Sequence, residues 1–242
     1  MYSTIFLLQA GLQLGLFVWM VRVYQRTGLA ALAMLLIPQL GLVWDNLIVG
    51  SGQWIGFGPT LEALSWPRFW IHWLMGTWLI IASGAVLRLA GFQWAQKKWV
   101  MSGFCLLTVA LMIKELPLFW TTSLHPVCEL DLIRYSTAVS PADFCFPGQV
   151  AVPSTGALAP IIACIVVIGS GIALWVRHKF PWMAICGTLM FVSATPPLRP
   201  WKLDNFGEVL IVFGVVLAMD RFASKRREPL ARRHTEIASA TT

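Results

Sequence analysis

Charge is what this chain has least of. Only 12% of its 242 residues are charged, against 57% hydrophobic, and its mean hydropathy is +0.71. That is too apolar for a soluble domain and too long for a single anchor, so the composition is that of a polytopic membrane protein. Familiar chemical signatures are missing too. The five cysteines and four histidines show no metal-ligand spacing, and there is no Gly-rich phosphate loop or nucleophile elbow. Neither a metal nor an organic cofactor is therefore expected. A basic leader is also lacking, so the first apolar segment is expected to stay as a span. A net charge of +7 would suggest nucleic acid in a soluble chain. Here the basic residues flank apolar segments and read as topology, with the lipid bilayer as the partner and no nucleic acid.

Seven stretches are long and apolar enough to be bilayer helices, at about 4–21, 28–49, 68–90, 100–121, 157–176, 181–197 and 205–222. A helix needs ~20 residues to cross ~30 Å of hydrocarbon. The expected fold is thus all-α, a seven-helix transmembrane bundle over residues 1–222. Thirteen of the 18 Lys and Arg fall on one side of it, and eight of the 11 acids on the other. By the positive-inside rule the amino terminus lies outside and the carboxyl terminus in the cytosol. The basic stretch 223–242 is expected to be a disordered cytosolic tail. The longest connection, 122–156, then lies outside and holds Cys128 and Cys145, the only two cysteines in a loop. In an oxidising compartment a disulfide closing that loop is expected.

Ionisable groups are costly in a bilayer, on the order of 2.5–3.5 kcal/mol each at a helix centre, so their positions carry information. Asp45 and Asn46 lie near the outer end of the second segment. The third opens with "RFWIH", which puts Arg68 and His72 four apart on one face. Lys114 and Glu115 close the fourth, and "KLDNFGE" opens the seventh with Asp204 and Glu208 on one face and Asn205 beside them. Four segments thus bring charge to the same depth, in the outer half. Trp44, Trp70, Trp73 and Phe206 lie at that level and would make an aromatic pocket, although an interfacial belt uses the same residues. Structural roles compete: Arg68 can snorkel, Asp204 and Asn205 can cap a helix, and Arg68 or Lys114 can neutralise Asp45 or Glu115.

A carboxyl group among apolar side chains keeps a proton available for a substrate that partitions into the membrane. Asp45, with Glu208 or Asp204 as the second acid and Arg68 and His72 as tuning groups, supplies proton donation and return. Such a set can protonate an olefin or epoxide of a prenylated substrate and drive cation ring closure. Here "IPQLGLVWDN", with its Trp-acid pair after a proline, and the acids opening the seventh segment carry a resemblance. Together with seven helices in about 240 residues, they resemble the integral membrane terpene cyclases of fungal meroterpenoid and indole-diterpene pathways.

The resemblance implies a terpenoid cyclase of lyase or isomerase type, in secondary metabolism, in the endoplasmic reticulum or another endomembrane. It also implies Asp45 as the first catalytic acid and Asp204 or Glu208 as the second. The family's first acid is a Glu where this chain has Asp, and the "RFWIH" face lies outside the family pattern. A seven-helix transporter or receptor with an outer polar pocket, or another lipid-modifying membrane enzyme, are the competing readings.

Overall fold

The computed structural model describes residues 1–154, 158–194 and 204–240, and for 204 and 225–240 the backbone alone. Helices dominate. They are α1 (Tyr2–Thr27), α2 (Ala30–Ile55), α3 (Pro59–Trp70), α4 (Trp78–Leu89), α5 (Gln93–Gln96), α6 (Lys98–Glu115), α7 (Leu118–Thr121), α8 (Leu158–His178), α9 (Trp182–Ser193) and α10 (Asp204–Ala240). Among the described residues four spans are long and apolar enough to cross a membrane: α1, α2, the α6–α7 pair and α8. The α3–α4 pair makes a fifth if its 44° bend is counted as one span, and α9 is a shorter apolar helix. Such helices are compatible with a membrane protein.

The all-α expectation needs one correction. Between α7 and α8 the chain forms an antiparallel hairpin of β1 (His125–Glu129) and β2 (Leu132–Ser136). A disulfide joins Cys128 to Cys145, and Gln149 ties the same loop down by accepting from the Cys145 N–H at 2.9 Å and donating to the Pro126 carbonyl at 2.6 Å. Buried Leu132 packs with Phe6 of α1 and Val49 of α2, so the hairpin covers one end of the bundle. The β-branched and apolar residues of "HPVCE" and "LIRYS" suit a half-buried ribbon of this kind.

Two helices are longer than their hydropathy suggests. Expected to end near residue 49, α2 runs to Ile55, because "GSG" is a contact surface and not a break. A Cβ on Gly52 would stand 1.8 Å from the Ile133 carbonyl oxygen, and one on Gly50 would stand 2.9 Å from Leu7. The third span begins at Pro59 and not at Arg68; Pro59 fits the first helical position. In consequence Asp45 sits well inside α2, and Arg68, in the last turn of α3, and His72, just after it, sit a few turns in from Pro59 and not at the start of a span. The backbone of α10 likewise continues to Ala240, past the expected start of a disordered tail at residue 223.

The main core occupies the end away from the hairpin, where Met20, Val23, Leu32, Leu174, Met183, Val215 and Met219 are fully buried. Helices α8 to α10 approach closely through small residues. A Cβ on Gly171 of α8 would lie 2.3 Å from the Ala184 nitrogen of α9, whereas one on Gly169 meets nothing within 4 Å. Gly171→Ala is therefore expected to destabilise the fold by about 1–3 kcal/mol through overpacking, while Gly169→Ala leaves it unchanged or slightly firmer. Thermal unfolding in detergent of the two variants side by side checks this; equal midpoints would refute the close crossing.

The hairpin also finishes α1. The Met1 amino group and the Tyr2 (2.9 Å) and Ser3 (3.3 Å) N–H groups all donate to the Asp131 carboxylate, in the β1–β2 turn. These are donors that a helix start leaves unsatisfied. The Met1 ammonium first, and the two N–H groups after it, hold the Asp131 carboxyl below the usual aspartate range. Its contribution is present above an unfolded value of about 3.9 and is lost as pH falls through the lower folded value. Asp131→Ala should cost about 1 kcal/mol. Protease cleavage near residue 131 should rise in that variant at neutral pH, and in the wild type only in acid; an unchanged cleavage rate would remove the capping role.

Candidate functional site

The α3–α4 span carries the key irregularity. Residues Ile71–Met75 form a π-helical turn between α3 and α4, a feature that often marks functional positions. Pro67 lacks the N–H that would hold the preceding turn. A Cβ on Gly76 would lie 2.9 Å from the His72 carbonyl oxygen, so glycine permits the tight exit. The extra residue in this turn sets His72 between α2 and α10. Gly41 of α2 lets Ile71 approach, since a Cβ there would lie 2.4 Å from its Cδ1.

His72, its side chain 34% exposed, is the centre of a charged cluster in which Asp45 and Arg68 are buried. Its Nε2 faces Asp45 Oδ2 at 3.2 Å, and its Nδ1 faces Glu208 Oε1 at 3.5 Å. Asp45, only 3% exposed, has both oxygens occupied. Arg68 Nε donates to Oδ1, while Asn205 Nδ2 donates to Oδ2 at 3.3 Å. The Arg68 guanidinium also donates to the Tyr135 carbonyl of β2 at 3.2 Å, which fastens the hairpin to the cluster. Asn46, fully buried, accepts from Asn205 at 3.2 Å and donates to Leu42 at 2.9 Å. With His72 protonated, the four ionisable groups balance as two cations and two anions, which is what makes their burial tolerable.

Several expected site residues therefore meet, from three of the four predicted segments: Asp45, Asn46, Arg68, His72 and Glu208. Glu115 does not join them. It is buried, but its ion pair is with neighbouring Lys114 at 3.1 Å. The Asp204 side chain lies outside the described residues, so Glu208 is the acid of the seventh segment that is placed at His72. Asn205 was read as a cap and is instead a bridge between Asp45 and Asn46. Its spacing of three from Glu208 on one helix face was the signal. The Tyr135 carbonyl is a partner that no residue pattern announces.

Beside His72 lies a small, partly open pocket of about 50 Å³. Its wall is aliphatic, from Met20 of α1, Leu35, Pro38 and Leu42 of α2, Leu79 of α4 and Val212 of α10; the polar side chains in it are Gln39 and His72. This corrects the aromatic pocket. Trp44 is partly exposed and donates to the Leu64 carbonyl at 3.1 Å, and Phe206 is 40% exposed. Trp70 stacks on Phe119, which Trp73 meets edge-on. None of the four is in the pocket wall, and their place is that of an aromatic belt.

Asp45, His72 and Glu208 present ligand atoms within 4.8 Å of one another, as a metal site would. The arrangement fits an ion poorly. The imidazole offers a different nitrogen to each carboxylate, and one ion can use only one of them. Both Asp45 oxygens are also engaged already, Oδ1 by Arg68 and Oδ2 by Asn205. It is instead a hydrogen-bonded bridge, carboxylate to imidazole to carboxylate, with one long link. Compared with known proteins, the chain matches no family model, no curated protein and no solved structure.

Proposed function

We propose that this is a multi-pass membrane enzyme that performs acid–base chemistry on a lipophilic substrate, and specifically a terpenoid cyclase acting on a prenylated epoxide or olefin. The observation that supports it best is His72, which is at once a wall of the aliphatic pocket and the bridge between buried Asp45 and half-buried Glu208. In this reading the chain is a seven-helix bundle, with the hairpin outside and the carboxyl terminus in the cytosol, in an endomembrane.

The assignment of roles differs from the one the sequence suggests. Asp45 is not in the pocket wall, and both of its oxygens are engaged, so it serves as the fixed counter-charge of His72 and not as the proton donor. Nδ1 is the less committed nitrogen, since 3.5 Å exceeds an ordinary N–H···O distance. Its proton passes to the epoxide oxygen as the C–O bond opens. The carbocation is then captured by the chain's own olefins, each ring closure forming one C–C bond at the expense of one π bond. The last cation gives its proton back to His72, at the wall, where Glu208 balances the charge from 3.5 Å, so substrate and product are isomers. Aliphatic walls suit this step because they offer no nucleophile to trap the cation.

The test is incubation of membranes containing the protein with a prenylated aromatic epoxide, followed by chromatographic and mass analysis. A cyclised isomer of unchanged mass, absent from membranes without the protein, is the expected product. Recovery of substrate alone from a panel of prenyl chain lengths would overturn the cyclase reading.

A further inference from the structure

The hairpin turns on an unfavourable residue. Glu129 pairs with Leu132, so Leu130 and Asp131 alone form the turn. Tight turns of this kind favour glycine or asparagine where φ is positive, yet Leu130 sits at φ 57°, a region that bulky side chains rarely enter. It is also 71% exposed, so packing within the chain does not account for it. The neighbouring contacts locate the tip. Leu132 packs at the seam of α1 and α2 with Phe6 and Val49, and Asp131 sits on the first N–H groups of α1. Leu130 is the next step along, past the seam and past the start of α1. That helix lies at the edge of the bundle, with α2 and α10 as its main neighbours. Its outward side is apolar from the first turn, and Met1, Ile5, Leu8 and Leu12 are all exposed there. Where α1 crosses a membrane, that side meets lipid.

We propose that the hairpin tip is a membrane anchor, with Leu130 entering the apolar edge of the leaflet on its own side, next to the exposed first turns of α1. Moving one leucine side chain out of water favours that position by about 10- to 100-fold, which offsets the cost of its backbone conformation. The partner is the acyl region of a phospholipid and not its headgroup. The exposed group at the tip is a hydrocarbon, and the nearby Met1 ammonium is paired with Asp131. Anchoring also steadies the charged cluster, because the same hairpin brings the Tyr135 carbonyl to Arg68. None of this depends on the chemistry at His72.

Methyl NMR of the full chain in phosphatidylcholine nanodiscs, with isotope-labelled leucine methyl groups, tests the anchor. The Leu130 peaks are assigned by their loss in Leu130→Asn, a residue that tolerates a positive φ. Doxyl-labelled lipid is expected to abolish those peaks in the wild type, while a water-soluble gadolinium chelate leaves them. Peaks lost to the chelate would put the tip in water, and peaks that survive both agents would put it against protein, a second copy included; either result overturns the anchor. Should Leu130→Asn not fold, Leu130→Met assigns the same peaks, and the readout itself is made on the unaltered chain.

Discussion

His72→Phe is expected to lower product formation by about 10²- to 10⁴-fold, the usual scale for removing a positioned general acid–base group. Phenylalanine keeps the ring at the pocket wall, so the shape facing the substrate changes little. The lost function is the N–H. It is also expected to leave Asp45 with Arg68 and Asn205, and Glu208 without its bridge, so a stability loss of about 1–3 kcal/mol should accompany the kinetic one. Turnover must therefore be normalised to folded protein, read by size-exclusion chromatography in detergent. Activity within tenfold of wild type would show that the imidazole is not the donor, and the reading of the cluster as a proton relay would go with it.

A companion variant tests the return of the proton. Glu208→Gln keeps the size and a hydrogen-bonding oxygen for Nδ1–H but no longer supplies the charge that draws the returning proton onto His72. The epoxide should still open, and the product mixture should shift toward alcohols formed by water capture, at reduced rate. An unaltered product profile would place deprotonation elsewhere.

The helical character and the rough position of the long apolar helices α1, α2, α6 and α8 were legible from hydropathy, since a run of apolar residues near 20 long has few alternatives. The helix ends near the charged groups were not. Glycine at 50 and 52 reads as a loop when only the local chain is considered, and its cause is the Ile133 carbonyl, 81 residues from Gly52, pressed against the helix. The gathering of Asp45, Arg68, His72 and Glu208 was visible as a coincidence of depth. Which of them touch was not, because azimuth around a bundle is set by packing and, here, by a π-helical turn that shifts His72 relative to Arg68. For the same reason Glu115 shares the expected depth and not the cluster. Aromatic residues misled in the opposite direction: tryptophan is abundant at the interface for reasons of solvation, so its number says little about a pocket.

The second large effect concerns the Asp45–Arg68 pair. Both are buried, Asp45 at 3% and Arg68 at 6% exposure, and each is the other's main counter-charge. Asp45→Asn leaves Arg68 with the Tyr135 carbonyl and no anion, and should cost about 3–5 kcal/mol, as breaking one side of a buried pair does. Arg68→Met should cost less, because a protonated His72 still faces Asp45 at 3.2 Å and shares the charge. The double variant Asp45→Asn with Arg68→Met has no unpaired guanidinium, and replacing a buried pair by groups of similar volume is often close to neutral. It should recover most of the stability that Asp45→Asn loses, a coupling of more than about 1 kcal/mol between the sites. Activity should not return, since His72 would then have lost its fixed anion. Thermal unfolding of the four proteins in one detergent closes the cycle. Additive losses would mean that the two side chains do not stabilise each other, and recovered turnover in the double variant would mean that Asp45 has no part in orienting or charging His72.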